Sequence, residues 1–280
     1  MKYIILCCMV CFKIHTHAQE LFPLTEPASN MPANSVGIRI NQTLMPSFQE
    51  SNLEASNTGA KYRLNPELMW GISKKLMVHA NVYASNMYQQ SFRFEGASMY
   101  FKYRFFSKDD TRQHFRLACF GKASKVNNPF KYNEINLGGD NSGIGLGVIA
   151  TQLLHKLALS FTGGYTKAFR SNRQEFSTAQ PTETFSYSLS SGYLLWPLKY
   201  KSFNQPNFNI YFEVLGNFNP ENEESFLDLA PAFQIILKSR TRIDVGYRKQ
   251  INGNMLRLSE SAYFLKFEYN IFNINHKKNA

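Results

Sequence analysis

The chain of 280 residues is basic, with formal net charge +11; 44% of its residues are hydrophobic and 15% aromatic. That apolar content excludes a soluble disordered chain, and its lysines and arginines are scattered rather than clustered into a nucleic-acid patch. Beyond the N-terminus, no apolar run approaches the roughly 20 residues of a membrane-crossing helix, so a membrane-integral reading has to rest on strands.

The N-terminus carries Lys2, a short apolar core from Tyr3 to Phe12, and Ala18 before Gln19-Glu20. That pattern predicts a cleaved secretory signal peptide over 1–19. Cys7, Cys8 and Cys11 lie inside the apolar core, and Ile5-Leu6 lacks the small residues that a lipoprotein signal needs. Removing the leader leaves Cys119 as the only cysteine, so a disulfide-stapled scaffold is excluded. Cys119 falls in an apolar-facing register and is expected to act as a small hydrophobe. The Pro-rich stretch 20–33 reads as an extended periplasmic segment. Alternatively it enters a lumen as a plug through Asn30, Met31 and Asn34. The residues leave both readings open.

From Asn34 to Phe272, segments of alternating apolar and polar residues recur. Strands are expected over 34–45, 58–70, 75–87, 92–106, 113–126, 144–154, 157–169, 184–196, 206–218, 226–237, 241–250 and 261–272. A tail, 273–280, follows. The gaps differ in character: Gly71-Ile72-Ser73-Lys74-Lys75 is tight and polar, whereas 127–143 is long and irregular. Long gaps are expected at 48–57, 127–143, 170–183, 219–224 and 252–259, all at one end. This rhythm predicts an all-β fold: a closed antiparallel transmembrane β-barrel of about twelve strands, with short periplasmic turns and longer extracellular loops.

Each strand has one clean face. In the last, Tyr263, Leu265, Phe267, Tyr269 and Ile271 oppose Lys266, Glu268 and Asn270. A lysine or arginine facing lipid at mid-bilayer costs about 2–4 kcal/mol, so the charged face is assigned to the lumen. This register makes Arg39, Lys61, Arg63, Glu67, Lys102, Arg104, Arg116, Arg242, Asp244, Arg248, Lys266 and Glu268 the pore-lining candidates, joined by Lys122, Glu213 and Asp228. Trp70, Phe105, Phe106, Trp196 and Phe272 sit at strand ends beside the short turns, where rings favour the headgroup level.

Other motifs carry less. Gly145-Leu-Gly147-Val-Ile-Ala150 fits a dinucleotide fingerprint as a string, but a loop precedes it and a strand follows, so its glycines are read as room for a large neighbour. None of His79, His114, His155 or His276 has a serine two residues away, the spacing of outer-membrane lipid hydrolases. Met69, Met77 and His79 share the inward face and could serve a soft metal, but read as lumen filler. Glu221 to Glu224 reads as a solvated acidic loop. No catalytic residue, cofactor or metal site is expected.

Thr25-Glu26-Pro27-Ala28-Ser29-Asn30-Met31, followed by Val36-Gly37-Ile38-Arg39, resembles a group of uncharacterised outer-membrane barrel proteins of Bacteroidota-type bacteria. The resemblance implies a barrel and an association with heavy-metal or copper efflux systems; it transfers no site residues. The expected function is that of a porin or transport-associated channel in a bacterial outer membrane, with a basic lumen preferring small anionic solutes. Its expected surroundings are outer-membrane lipid and, by resemblance alone, metal-efflux components. A non-conducting barrel that binds a partner through its extracellular loops is the alternative, with a lipid hydrolase behind it.

Overall fold

The computed structural model describes residues 22–46, 60–89, 91–110, 113–169, 180–198, 202 and 204–274. The expected leader, the loop 48–57, residues 170–179 and 275–280 lie outside the described residues. The chain folds into β1 (Ser35–Met45), β2 (Lys61–Gly71), β3 (Leu76–Ser85), β4 (Arg93–Asp109), β5 (Gln113–Val126) and β6 (Gly143–Leu154). There follow β7 (Leu157–Ala168), β8 (Glu183–Trp196), β9 (Asn207–Asn219), β10 (Glu224–Leu237), β11 (Thr241–Gly253) and β12 (Ser261–Ile271). Each pairs antiparallel with its sequence neighbour, and β1 closes on β12 from Val36↔Ile271 to Leu44↔Tyr263. The result is a closed twelve-stranded barrel without a free sheet edge. Among the described residues there is no helix.

The period-two pattern governs burial. Along β2, Lys61, Arg63, Glu67 and Met69 are buried while Leu68 and Trp70 are exposed. Large apolar side chains such as Phe101, Leu146, Leu189, Phe212 and Val245 point outward on neighbouring and opposite strands alike. Monomeric soluble proteins rarely expose contiguous apolar patches beyond a few hundred Å². An apolar band running around a barrel has lipid as its natural solvent.

Trp70, Phe105, Phe106 and Trp196 are all exposed at the short-turn end. Two β-bulges explain how consecutive residues share the outer face there. The β4–β5 register skips between Arg104 and Phe106, turning Phe105 and Phe106 both outward. The β8–β9 register skips between Leu194 and Trp196, and Leu195 and Trp196 are both exposed. An inserted residue shifts the alternation by one. Phe272 differs: it follows β12 and is half-buried, because Ile271 already takes the outward position.

The ends are less cleanly sorted than the gaps suggest. The β8–β9 connection, 197–206, is long although it lies at the short-turn end, and the β9–β10 connection at the opposite end is short. The gap left between the expected strands 92–106 and 113–126 is largely strand, since β4 pairs with β5 as far as Asp109↔His114.

Leu189 is 56% exposed in the middle of β8. Leu189→Arg is therefore expected to cost about 2–4 kcal/mol in urea titration of barrels folded into lipid vesicles. Unheated and heated samples on a detergent gel report the folded fraction.

Candidate lumen site

The lumen of the barrel is crossed at the short-turn end by the chain's own segment 22–34. Its backbone runs perpendicular to the strands, along one row of inward side chains. Register links Arg116↔Thr151, Thr151↔Ser160, Ser160↔Ser190 and Ser190↔Glu213 across β5 to β9. The segment bonds along that row. The amides of Leu24 and Thr25 donate to the Glu213 carboxylate at 2.7 and 3.0 Å, and the Thr25 hydroxyl donates to it at 2.6 Å. The amide of Ala28 donates to Thr151 Oγ1 at 2.9 Å, and Arg116 donates to Ser29 Oγ at 2.8 Å. Lys102 Nζ donates to the Pro27 carbonyl at 2.7 Å, and the amide of Asn34 donates to the Gly71 carbonyl at 2.8 Å. Phe22 anchors the other end, edge-on to Tyr211 among Ala158, Ala232 and Phe264. Gly71 permits the close approach, since a Cβ there would stand 2.3 Å from the Pro32 carbonyl oxygen.

A second row carries charge. Glu67, Arg39, Glu268 and Arg242 are successive cross-strand partners on β2, β1, β12 and β11. Arg39 binds Glu67 at 3.1 Å, Glu268 at 3.0 Å and, from the crossing segment, Glu26 at 3.0 Å. Arg242 binds Asp244 at 3.0 Å and Glu268 at 3.4 Å. Glu26 also takes Lys102 at 3.4 Å. Glu67 further contacts His79 Nδ1, beside the buried cluster Met31, Met69 and Met77. Donor atoms of Glu26, Glu67 and His79 lie within 4.8 Å of one another. They have the chemistry of a cation site, but Arg39 and Lys102 already supply positive charge to both carboxylates.

The far end is narrowed by the loop 127–142, which folds over the mouth. Arg63 on β2 reaches its Asp140 at 2.6 Å while also binding Glu95 at 3.0 Å. Its Asn133 amide donates to Leu256 across the mouth at 2.9 Å, and Asn133 also bonds Glu224 and Asn219. Arg257, fully buried, clasps Asp228 at 2.6 Å and Glu134 at 3.0 Å with its guanidinium over the Phe226 ring. Burial works against the Arg257 charge, but Glu134 and Asp228 outweigh it and hold the guanidinium above its ordinary value.

Between crossing segment and cap lies a cavity of about 340 Å³. Leu24, Thr25 and Glu26 line it from one end and Glu134 to Leu137 from the other. Its wall on β6 to β8 is mostly small, with Gly145, Thr162, Thr166, Thr184, Ser186 and Ser188 beside Ile149 and Tyr187. Gly147 makes room for the Phe120 ring, whose carbons would stand 2.5 Å from a Cβ. Phe120 in turn stacks on Tyr100 at 5.5 Å.

Of the pore-lining candidates, Arg39, Glu67, Lys102, Arg242, Asp244 and Glu268 are buried within the charged network. Lys266, half-buried, stands next to it opposite Asn41 and Asp244. Lys61 and Arg63 are buried towards the loop end, and Arg248 faces Asp228 at 3.4 Å. Arg104 and Arg116 belong to the short-turn mouth instead. Arg104 donates to the Lys74 carbonyl in a turn, and Arg116 pairs with Asp109. Sequence reasoning missed Glu26, Glu95, Asp140 and Arg257 as interior partners. Phe130, Tyr132, Ile135 and Leu137, all buried, were the available signal that loop 127–142 turns inward.

No family model matches the chain, and no curated protein matches it. Solved structures do. An outer membrane channel from Pseudomonas putida F1 aligns with a TM-score of 0.56 at 10% identity, over 90% of this chain and 100% of that one. The KdgM porin aligns with a TM-score of 0.48 at 12% identity, over 85% and 99%. Outer membrane phospholipase A from Escherichia coli aligns at 0.45 and 9% identity, over 86% and 91%. At such identities the likeness is one of fold.

Arg257→Met leaves the cap carboxylate of Glu134 without its cation and leaves Asp228 with Arg248 alone. Breaking one side of a buried pair costs about 3–5 kcal/mol. Trypsin is expected to cut after Lys131 faster in this variant than in the parent barrel, read by timed digestion of protein in vesicles.

Proposed function

We propose that the chain is an outer-membrane barrel acting as a narrow, plugged channel for small solutes, with a preference for anions. The observation that carries this reading is the cavity of about 340 Å³ held inside the barrel between crossing segment and cap. A purely structural barrel would fill that space with side chains, as barrels of about eight strands do. Here the wall on β6 to β8 is mostly glycine, serine and threonine instead, with Ile149 and Tyr187 as its larger members. The apolar outer face supports the membrane location, and the outer membrane channel from Pseudomonas putida F1 shares the fold. The anion preference rests on Lys122, which lines the cavity without an ion pair among the described residues, whereas Arg248 beside it faces Asp228. The heavy-metal efflux context that the N-terminal motif implies adds no residue to this reading.

One observation favours a second reading, a non-conducting barrel whose loop end receives a partner. The cap is bonded to β2 on one side and to Leu256 and Arg257 on the other.

Conductance across a planar bilayer separates the two. Deleting residues 22–31 is expected to raise single-channel conductance several-fold. In a Cys119→Ser background, Ala28→Cys with Thr151→Cys pins the segment to β6, and reductant is expected to raise the conductance of the oxidised barrel. Lys122→Met is expected to move the reversal potential towards cation preference. A barrel silent in all forms identifies the second reading.

A further inference from the structure

Register stacks the cavity wall in rows. Tyr100, Lys122, Gly145, Thr166 and Thr184 are successive cross-strand partners from β4 to β8. One row nearer the crossing segment, Phe120, Gly147, Gly164, Ser186 and Asn217 follow each other from β5 to β9. Below these, Thr162 pairs with Ser188. A patch of aromatic carbon, one lysine and a field of short hydroxyl and amide side chains therefore face a single cavity.

The polar atoms of this wall are unequally satisfied. Tyr100 Oη, Thr162 Oγ1 and Ser188 Oγ are buried without a hydrogen-bond partner among the described residues, and all three residues line the cavity. Buried polar groups in folded proteins nearly always have a partner. Three orphaned hydroxyls mark this wall as incompletely bonded; their oxygens carry almost no accessible surface, so Thr162 and Ser188 meet an occupant by turning about χ1 to another staggered rotamer.

The charges single out one group. Glu26 and Glu134 line the cavity, but Arg39 and Lys102 hold the first and Arg257 holds the second. Arg248 faces Asp228. Lys122 makes no ion pair or hydrogen bond among the described residues. A monoanion would complete it. The volume sits at the lower end of the roughly 300–1,000 Å³ typical of small-molecule sites, which suits one small ring and not a chain of them.

We infer that the cavity is a binding site for a small polyhydroxylated carboxylate with the chemistry of a sugar acid. Its carboxylate pairs with Lys122. Its hydroxyls bond Thr162 and Ser188, and its C–H face rests on the Tyr100–Phe120 pair. The inference deepens the channel reading and rests on it.

Titration calorimetry of the full-length barrel in detergent micelles tests it with glucuronate, glucose and acetate as probes. Glucuronate is expected to bind at least about tenfold more tightly than glucose, which lacks the charge, and than acetate, which lacks the hydroxyls. Lys122→Met is expected to lose about tenfold in glucuronate affinity, with Lys122→Arg retaining most of it. Thr162→Val with Ser188→Ala is expected to weaken glucuronate and leave acetate unchanged. Heat-shifted migration on a gel shows that each variant is folded. Glucuronate binding no better than glucose, or unchanged by Lys122→Met, overturns the site; equal binding of glucuronate and acetate overturns the hydroxyl recognition. Bilayer conductance is read separately. A barrel that conducts but does not bind glucuronate loses the site and keeps the channel, whereas one that binds but never conducts loses the channel.

Discussion

Closure of the sheet is the constraint from which the rest follows. Pairing β1 with β12 satisfies every strand edge, and it also fixes the width of the interior. Twelve strands enclose more space than inward side chains alone fill, yet less than an open porin channel. The chain answers by folding inward the segment that precedes β1 and the loop between β5 and β6. Each brings backbone amides and carbonyls that need partners away from bulk water. That need accounts for the polarity of the lumen: Glu213 takes two amides and a hydroxyl from 22–34, Lys102 takes a carbonyl, and Arg63 takes the carbonyls of Gly138 and Gly139 in the cap.

The strands and their facing were legible because they are local. Alternation within ten or so residues fixes which side chain points where, and a shift by one residue would expose Arg39, Glu67 and Glu268 to lipid together. Boundaries moved mostly where a bulge or a turn intervened, as at Arg104 and Phe106. Phe272 misses the outer face without any bulge: counting by two from Tyr263 ends on Ile271.

The lumen site was only half legible. Its basic members and the strand-borne acids Glu67, Asp244 and Glu268 could be read off the strands, but the acidic partners supplied by the connecting segments could not. Glu26 and Asp140 reach the wall from segments without periodicity, and Glu134 meets Arg257 across a sequence separation of 123 residues. A count of inward lysines and arginines therefore overstated how much positive charge stays uncompensated. The orphaned hydroxyls were invisible for a related reason. A serine on an inward face looks the same in sequence whether a neighbour bonds it, as Glu213 bonds Ser190, or nothing does, as for Ser188.

The interior is divided between two kinds of wall, and the division decides what each part can do. On β11, β12, β1 and β2 the inward row is ionic, and those charges are spent on one another and on Glu26. That half anchors the crossing segment and offers little to a solute, since any newcomer must displace a formed pair. On β6 to β8 the wall is small and hydroxylated, with space in front of it. Glu26 joins the halves: it is bound by Arg39 and Lys102 and also lines the cavity, as do Leu24 and Thr25 beside it. Whatever occupies the cavity touches the segment that closes the barrel. By linkage, an occupant that favours the seated segment binds more tightly when the segment is seated, and stabilises it by the same factor. In the channel proposed above, passage through the barrel and occupancy of its cavity are therefore one coupled equilibrium, set by how the short stretch from Leu24 to Glu26 divides its contacts between wall and solute.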